Sequence, residues 1–348
     1  MNIAIIGCGA SALYFAATNK TDSITIFERN KKIASKLLAS GNGKCNLLNI
    51  NATPNDYNNK KFMEELFLRV SPKDIYDTFT NLGLSIKTDE EGRCYPISES
   101  SQTVLNILEK NMHSKIILEH TVKSINKIGD KYKIDSYDLL FDKVILATGS
   151  SASIIKDKSR LCYDYLKDIK LTRLRPSLTG FITESLDKIS GVRVKALIKL
   201  LDGNNLIHEE AGEVIFKNDG ISGIVVMNMS SYYNRYNLKN PILELDLLPG
   251  YNPKDLEGAL NPKLYSYVKS EGINPHKMIL NIKDTYSFEN AQVVSGGVDI
   301  NEINNDFSLK KDKNIFLMGE MLDIDGVCGG YNLLFAFASA EIVRRCIK

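Results

Sequence analysis

The chain opens on an unbroken apolar run, Ile3-Ala4-Ile5-Ile6, that stops at Gly7-Cys8-Gly9. Mostly apolar residues fill 10–17, and a second run, Ile24-Thr25-Ile26-Phe27, ends on Glu28. Short continuous runs bounded by glycine suit strands buried on both faces of a parallel sheet, so the opening predicts a β-α-β unit closing near Arg29. The same pattern returns at 142–149 and at 315–320, and there a glycine-rich loop over 323–331 leads into an apolar helix over 333–340. Between these segments the period changes. Phe62, Leu66 and Val70, then Ile75 and Phe79, fall at helical spacing, with Ser71-Pro72 as a helix start, and 103–112 reads as a further helix. Alternation over 115–118, 121–125 and 131–134 predicts a small meander. From Phe181 the character shifts: 192–200 alternates, Asp202-Gly203-Asn204-Asn205 turns, and 213–217 returns. That is hairpin structure with one wet face, and it marks a second domain. A helix over 221–237, a strand over 241–248 and a polar helical piece over 254–283, broken by Gly272 and Pro275, complete the interior.

At 348 residues the chain exceeds one ordinary domain, so two or three compact units are expected. The formal net charge is +2, from 44 basic and 42 acidic side chains, and gives no global field to recruit nucleic acid or anionic membrane. Six cysteines show no C-x-x-C pair, which suits free thiols in a reducing, cytoplasmic setting. The apolar start lacks a basic flank and breaks at Gly7, so it reads as a buried strand rather than a signal peptide. No apolar stretch approaches a membrane span. His113, His120, His208 and His276 are scattered without metal-ligand spacing, so no metal is expected.

The chemistry begins at the first turn. Gly7-Cys8-Gly9-Ala10-Ser11-Ala12 is a G-x-G-x-x-A between strand and helix, and an acid, Glu28, closes the next strand. This is the dinucleotide-binding fingerprint in its proper context. Gly7 permits the tight turn, Gly9 lets backbone approach a pyrophosphate, and Ala12 lets the helix pack closely on the strand. Glu28 can accept from an adenosine ribose, and Arg29 stands beside it. Three further glycine-bearing segments lie far away: Gly41 to Asn46, Ala147-Thr148-Gly149, and Gly319 to Leu333. An NAD-only fold needs the first segment alone. An extended flavin dinucleotide needs a backbone-lined path and a helix start near its pyrimidine edge, which Tyr331-Asn332-Leu333 would supply.

Residues 35–49, Ser-Lys-Leu-Leu-Ala-Ser-Gly-Asn-Gly-Lys-Cys-Asn-Leu-Leu-Asn, resemble the K-L-L-x-S-G-x-G-R-C-N-x-x-N signature of the BaiN/RdsA (YhiN-like) family of NAD(P)/FAD-dependent oxidoreductases. Further matches are Glu91-Gly92-Arg93-Cys94-Tyr95-Pro96, Asp219-Gly220-Ile221-Ser222-Gly223, Ser295-Gly296-Gly297-Val298, and the run from Gly319-Glu320 to Gly330-Tyr331-Asn332-Leu333. The resemblance implies an α/β fold: a glutathione-reductase-type FAD-binding Rossmann domain over 1–175 and 290–348, an inserted β-rich domain over 176–245 and 280–289, and a small helical domain over 246–279. It also implies roles. Gly7, Gly9, Ala10, Ser11 and Ala12 meet the pyrophosphate, Glu28 the ribose, and Val122 the adenine through its backbone. Lys36, Gly41, Asn42, Gly43, Cys45 and Asn46 line the flavin side. Glu320, Gly330, Asn332 and Leu333 hold the ribityl chain and pyrimidine edge.

The chain departs from the family pattern in that its interior domains look shortened, and in two local places. After Gly149 stand Ser150-Ser151-Ala152 and a basic stretch where the family carries a glycine-rich loop, and Phe216-Lys217-Asn218 replaces an F-T-H. No second G-x-G-x-x-G is present, so NAD(P)H is expected as a transient reductant rather than a resident. Hydride passed to a carbon–carbon double bond also needs a proton donor, for which Cys45 and Tyr331 are candidates by position. Family members are assigned to dihydrouridine formation in ribosomal RNA and to bile-acid reduction. The stretch 156–175 carries seven basic and three acidic residues, seven minus three or +4, with Tyr163 and Tyr165 interleaved. It could grip phosphates and stack bases, or be a solvated face with core tyrosines. Three readings stay open: an RNA-modifying flavoenzyme, a small-molecule ene-reductase, and a non-catalytic FAD-binding redox module.

Overall fold

The computed structural model describes residues 1–153, 163–236 and 238–347. They fall into two compact units, one drawn from residues 1–151, 163–174 and 296–347, the other from residues 152–153, 175–236 and 238–295.

The first unit is built on a five-stranded parallel sheet. Its strands are β1 (Asn2–Ile6), β2 (Ser23–Phe27), β3 (Lys115–Ile117), β4 (Lys143–Leu146) and β5 (Ile315–Leu317), in spatial order β5-β4-β1-β2-β3. Ile5 sits centrally, paired with Ile26 on one side and Ile145 on the other. Both faces of this sheet are covered, which is why its strands read as continuous apolar runs. Helix α1 (Ala10–Thr18) follows β1, and Ser11 to Ala17 are all buried. It packs on the C-terminal helix, where Tyr14 and Phe79 each meet Phe337, at ring-centroid distances of 5.4 and 4.9 Å.

One expectation over this region is corrected. Residues 115–117 form β3 of the parallel sheet rather than the first strand of a meander. The meander is instead Ile125–Ile128, Lys131–Ile134 and Leu140–Phe141. Alternation marks a half-exposed edge strand as readily as a hairpin, and β3 is such an edge.

The second unit is a seven-stranded sheet dominated by the hairpin of Arg193–Asp202 and Asn205–Lys217. Helix Ile224–Arg235 lies against it. The 254–283 piece resolves into helix Pro262–Glu271, stopped by Gly272 in the left-handed region at φ 64°, and strand Met278–Asn281. Residues 246–279 form no separate helical body here. Leu260, Leu264 and Val268 share one buried core with Ile198, Leu200, Leu243 and Leu245, since a helix of ten residues cannot bury its apolar face alone.

Candidate functional site

The first turn is shaped by what cannot fit. Gly7 has φ 98°, and a Cβ there would lie 2.5 Å from the Ala147 carbonyl oxygen, so the β1 and β4 ends approach as only glycine allows. At Gly9 the reverse holds: a Cβ would meet nothing within 4 Å, a clearing directly before α1. No side chain caps α1, so the N–H groups of Ala10, Ser11 and Ala12 face that clearing with the helix's positive end. Glu28 is fixed beside it. One carboxylate oxygen accepts from the Cys8 N–H at 2.8 Å, and the other from the Asn30 backbone and side chain at 2.8 and 2.7 Å. Each oxygen carries two lone pairs, which leaves room for a ribose hydroxyl. Arg29 next to it is partly exposed. Val122 is buried, and its carbonyl accepts from the Tyr165 hydroxyl at 2.7 Å. Its N–H and the second lone pair of its carbonyl remain for an adenine.

The middle of the site is a kinked loop after the short helix α2 (Ser35–Ala39). Gly41, Asn42, Gly43 and Cys45 all adopt positive φ, at 56°, 53°, 85° and 56°. The two non-glycine residues each cost on the order of 1–3 kcal/mol, strain of the kind that collects at ligand sites. Lys36 gathers three segments. Its ammonium donates to the Ser150 carbonyl and hydroxyl, both at 3.2 Å, and to Glu320 at 3.1 Å. Ala147 holds the sheet edge through its N–H to Ile6, Thr148 follows, and Gly149 turns at φ 71° with open space beside it.

The third part is the return at the C-terminus. Gly319, at φ 76°, lies where a Cβ would come 2.8 Å from the Ser11 hydroxyl, and its N–H donates to Ser339. Helix α3 (Tyr331–Cys346) starts at Gly330, where φ is 98° and a Cβ would lie 2.6 Å from Leu48. No side chain caps it. The Asn332 side chain ties down the preceding loop, accepting from the Gly326 N–H and donating to its carbonyl, both at 2.9 Å. It thereby holds the helix start open, and Leu333 follows half-buried.

Sequence reasoning missed Tyr57 and Asn58, which lie in none of the motifs it used. Tyr57 is buried, pairs with Gly326, and donates to the Tyr331 carbonyl at 2.9 Å. Asn58 bonds both Asp323 and Asp325. Burial pushes the Asp323 carboxyl above its ordinary value despite bonds from Thr172 and Asn58. Burial likewise pushes the Cys45 thiol up to about 11, so it stays neutral.

Three buried polar atoms in this region, Asn46 Oδ1, Ser151 Oγ and Glu320 Oε1, meet no partner among the described residues. Buried acceptors are seldom left so. With the Gly9 clearing and two uncapped helix starts, they form a donor-and-acceptor set that suits the hydroxyls, N–H group and diphosphate of a flavin dinucleotide.

A family model described as HI0933-like protein Rossmann domain matches residues 1–345. The chain belongs to that family. Among curated relatives it is 28% identical over 401 residues to the 3-dehydro-bile acid delta(4,6)-reductase of Clostridium scindens, covering 99% of this chain and 98% of that protein. It is 26% identical to the ribosomal RNA dihydrouridine synthase of Haemophilus influenzae, covering 97% and 96%. Among solved structures, the 3-ketosteroid-Δ4-(5α)-dehydrogenase of Rhodococcus jostii superposes with a TM-score of 0.50 at 11% identity, over 99% of this chain and 95% of that one, a likeness of fold. The BaiN/RdsA resemblance read from the motifs and the Rossmann-type fold both stand.

Within this HI0933-like chain, no group of His, Cys, Asp or Glu among the described residues could hold a metal ion. No described helix is long and apolar enough to cross a membrane. Of the basic stretch, Lys156, Asp157, Lys158 and Arg160 lie outside the described residues. In the remainder Tyr163 is buried, Tyr165 is held by Val122, and Lys170 pairs with Asp299 at 2.7 Å. Tyr163 is therefore a packing residue, whereas Tyr165 is partly exposed with its hydroxyl held.

Proposed function

We infer that this chain is an FAD-dependent reductase that draws on NAD(P)H and saturates a carbon–carbon double bond conjugated to a carbonyl. When bound, FAD supplies a two-electron carrier able to pass hydride between a nicotinamide and such an acceptor. The observation that carries the reading is the set of orphaned acceptors, Asn46, Ser151 and Glu320, beside two uncapped helix starts. Residues 9–12 would present N–H groups to the diphosphate, with Glu28 accepting from the ribose. Lys36 would set the Glu320 carboxylate toward the ribityl side. Gly41, Asn42, Gly43, Cys45 and Asn46 would form one wall, and the start of α3 would stabilise negative charge at the pyrimidine edge. Of the two proton-donor candidates, Tyr331 is partly exposed at that helix start, whereas Cys45 is wholly buried. Tyr331 is the stronger.

Both curated relatives' names describe chemistry on unsaturated carbon, one on a bile acid and one on uridine in ribosomal RNA. The burial of Tyr163 supports a small molecule over a stacked RNA base as acceptor here. Anaerobic mixing of the flavin-loaded protein with NADH or NADPH should bleach the flavin, and adding an enone should restore its colour. Flavin that neither nicotinamide reduces would contradict the reductase. A dihydrouridine missing from ribosomal RNA in a deletion strain would move the acceptor to RNA.

A further inference from the structure

The second unit holds a cavity that the reduction does not use. Strand Arg193–Asp202 is paired by Pro241–Asp246 only as far as the rung of Leu197 and Asp246, beyond which the second strand ends. The vacated edge at Val194, Lys195 and Ala196 and the loop following Asp246 enclose about 960 Å³, at the upper end of small-molecule pockets. On the sheet face that carries Lys195 and Glu213, the small side chain of Ala211 keeps the floor low, and Gly258 and Ala259 of the loop are small as well, so a flat body can lie close against the sheet. Leu247, Leu248 and Pro249 make an apolar wall, and Tyr251, 73% exposed, stands at the mouth.

Two charged side chains line this space, and they are not equivalent. Glu213 is already engaged by Arg193 at 3.2 Å. Lys195, directly across the ladder from Glu213, makes no ion pair among the described residues. The cavity thus offers apolar walls and one cation with no ion pair among the described residues. We propose that it binds an amphipathic organic anion, with a flat apolar body over Ala211 and against the loop after Asp246, and an acidic head group beside Lys195. This goes beyond the proposed reduction and does not rest on it.

The chain contains no tryptophan, so Tyr251→Trp places its single indole at the cavity mouth. In the full-length Tyr251→Trp protein, anilinonaphthalenesulfonate should show saturable one-to-one energy transfer from that indole. Its uncharged counterpart, N-phenylnaphthylamine, should bind as well. Adding Lys195→Gln should weaken the sulfonate about threefold, the scale of one exposed charge pair, and leave the neutral probe unchanged. Adding Ala211→Phe should abolish transfer to both while the melting curve stays in place. Where that variant does not fold, Gly258→Leu fills the space from the loop, because a Cβ at Gly258 meets nothing within 4 Å. Absence of saturable transfer, or transfer that survives the filling variant, overturns the site. Equal effects of Lys195→Gln on both probes overturn the anion.

Discussion

Lys36 brings its ammonium to Ser150 and Glu320, two residues more than a hundred positions away in the chain. The pair with Glu320 is 42% and 21% exposed, so it adds less than about 1 kcal/mol to stability. Its larger effect falls on charge. Lys36→Met should leave the melting temperature of the apoprotein nearly unchanged, yet weaken FAD binding by about tenfold, because Glu320 is then an uncompensated carboxylate beside a diphosphate ligand (1.4 kcal/mol being tenfold). Fluorescence titration of the apoprotein with FAD reads this directly, and equal affinities would show that Lys36 only packs. Gly7 was legible for the opposite reason. Its requirement is local, a positive φ and a neighbouring backbone at 2.5 Å, and a glycine between strand and helix announces both. Tyr57 and Asn58 were not legible, because their partners lie 274 and 265 positions further on. Pairings at that separation leave no periodic trace.

Among the elements, α1 and α3 carry the site between them, and their packing includes a buried charge. Glu341 is 2% exposed and is held by Arg344 at 2.6 Å, by Arg345 at 2.7 Å and by the Tyr14 hydroxyl. Burial alone would raise its pKa, but the two guanidinium bonds outweigh burial and hold it below the ordinary 4.5. An acid so lowered stabilises the fold fully above its unfolded pKa, and that contribution fades as pH falls through the folded value. Glu341→Gln should therefore cost about 2–3 kcal/mol at neutral pH, with the gap from wild type closing below about pH 4.5. Thermal melts across that range check it, and a pH-independent gap would contradict the charge assignment. The elements also show where sequence patterns mislead. Fully buried strands such as β1 and β4 were plain as apolar runs. The alternating edge β3 passed for a hairpin strand, because an edge and a hairpin expose one face alike.

For the whole molecule, a net charge of +2 leaves recognition to local sites. The likeness to the curated relatives covers 97–99% of this chain and 96–98% of theirs, so it takes in both units. The dinucleotide unit was readable from both chain ends because each glycine segment states its own backbone need. The second unit was readable as hairpins, while its cavity was not, since it arises where one strand outruns its neighbour. The central claim is that an extended FAD occupies the first unit, from the Gly9 clearing to the start of α3. Titration of apoprotein with FAD, alongside FMN and riboflavin, tests it most directly. Saturable one-to-one FAD binding is expected, with FMN and riboflavin at least about a hundredfold weaker because Glu28 and the α1 start serve the adenosine half, roughly 2.7 kcal/mol of the total. Failure to saturate with FAD, or FMN binding equally well, would contradict the account.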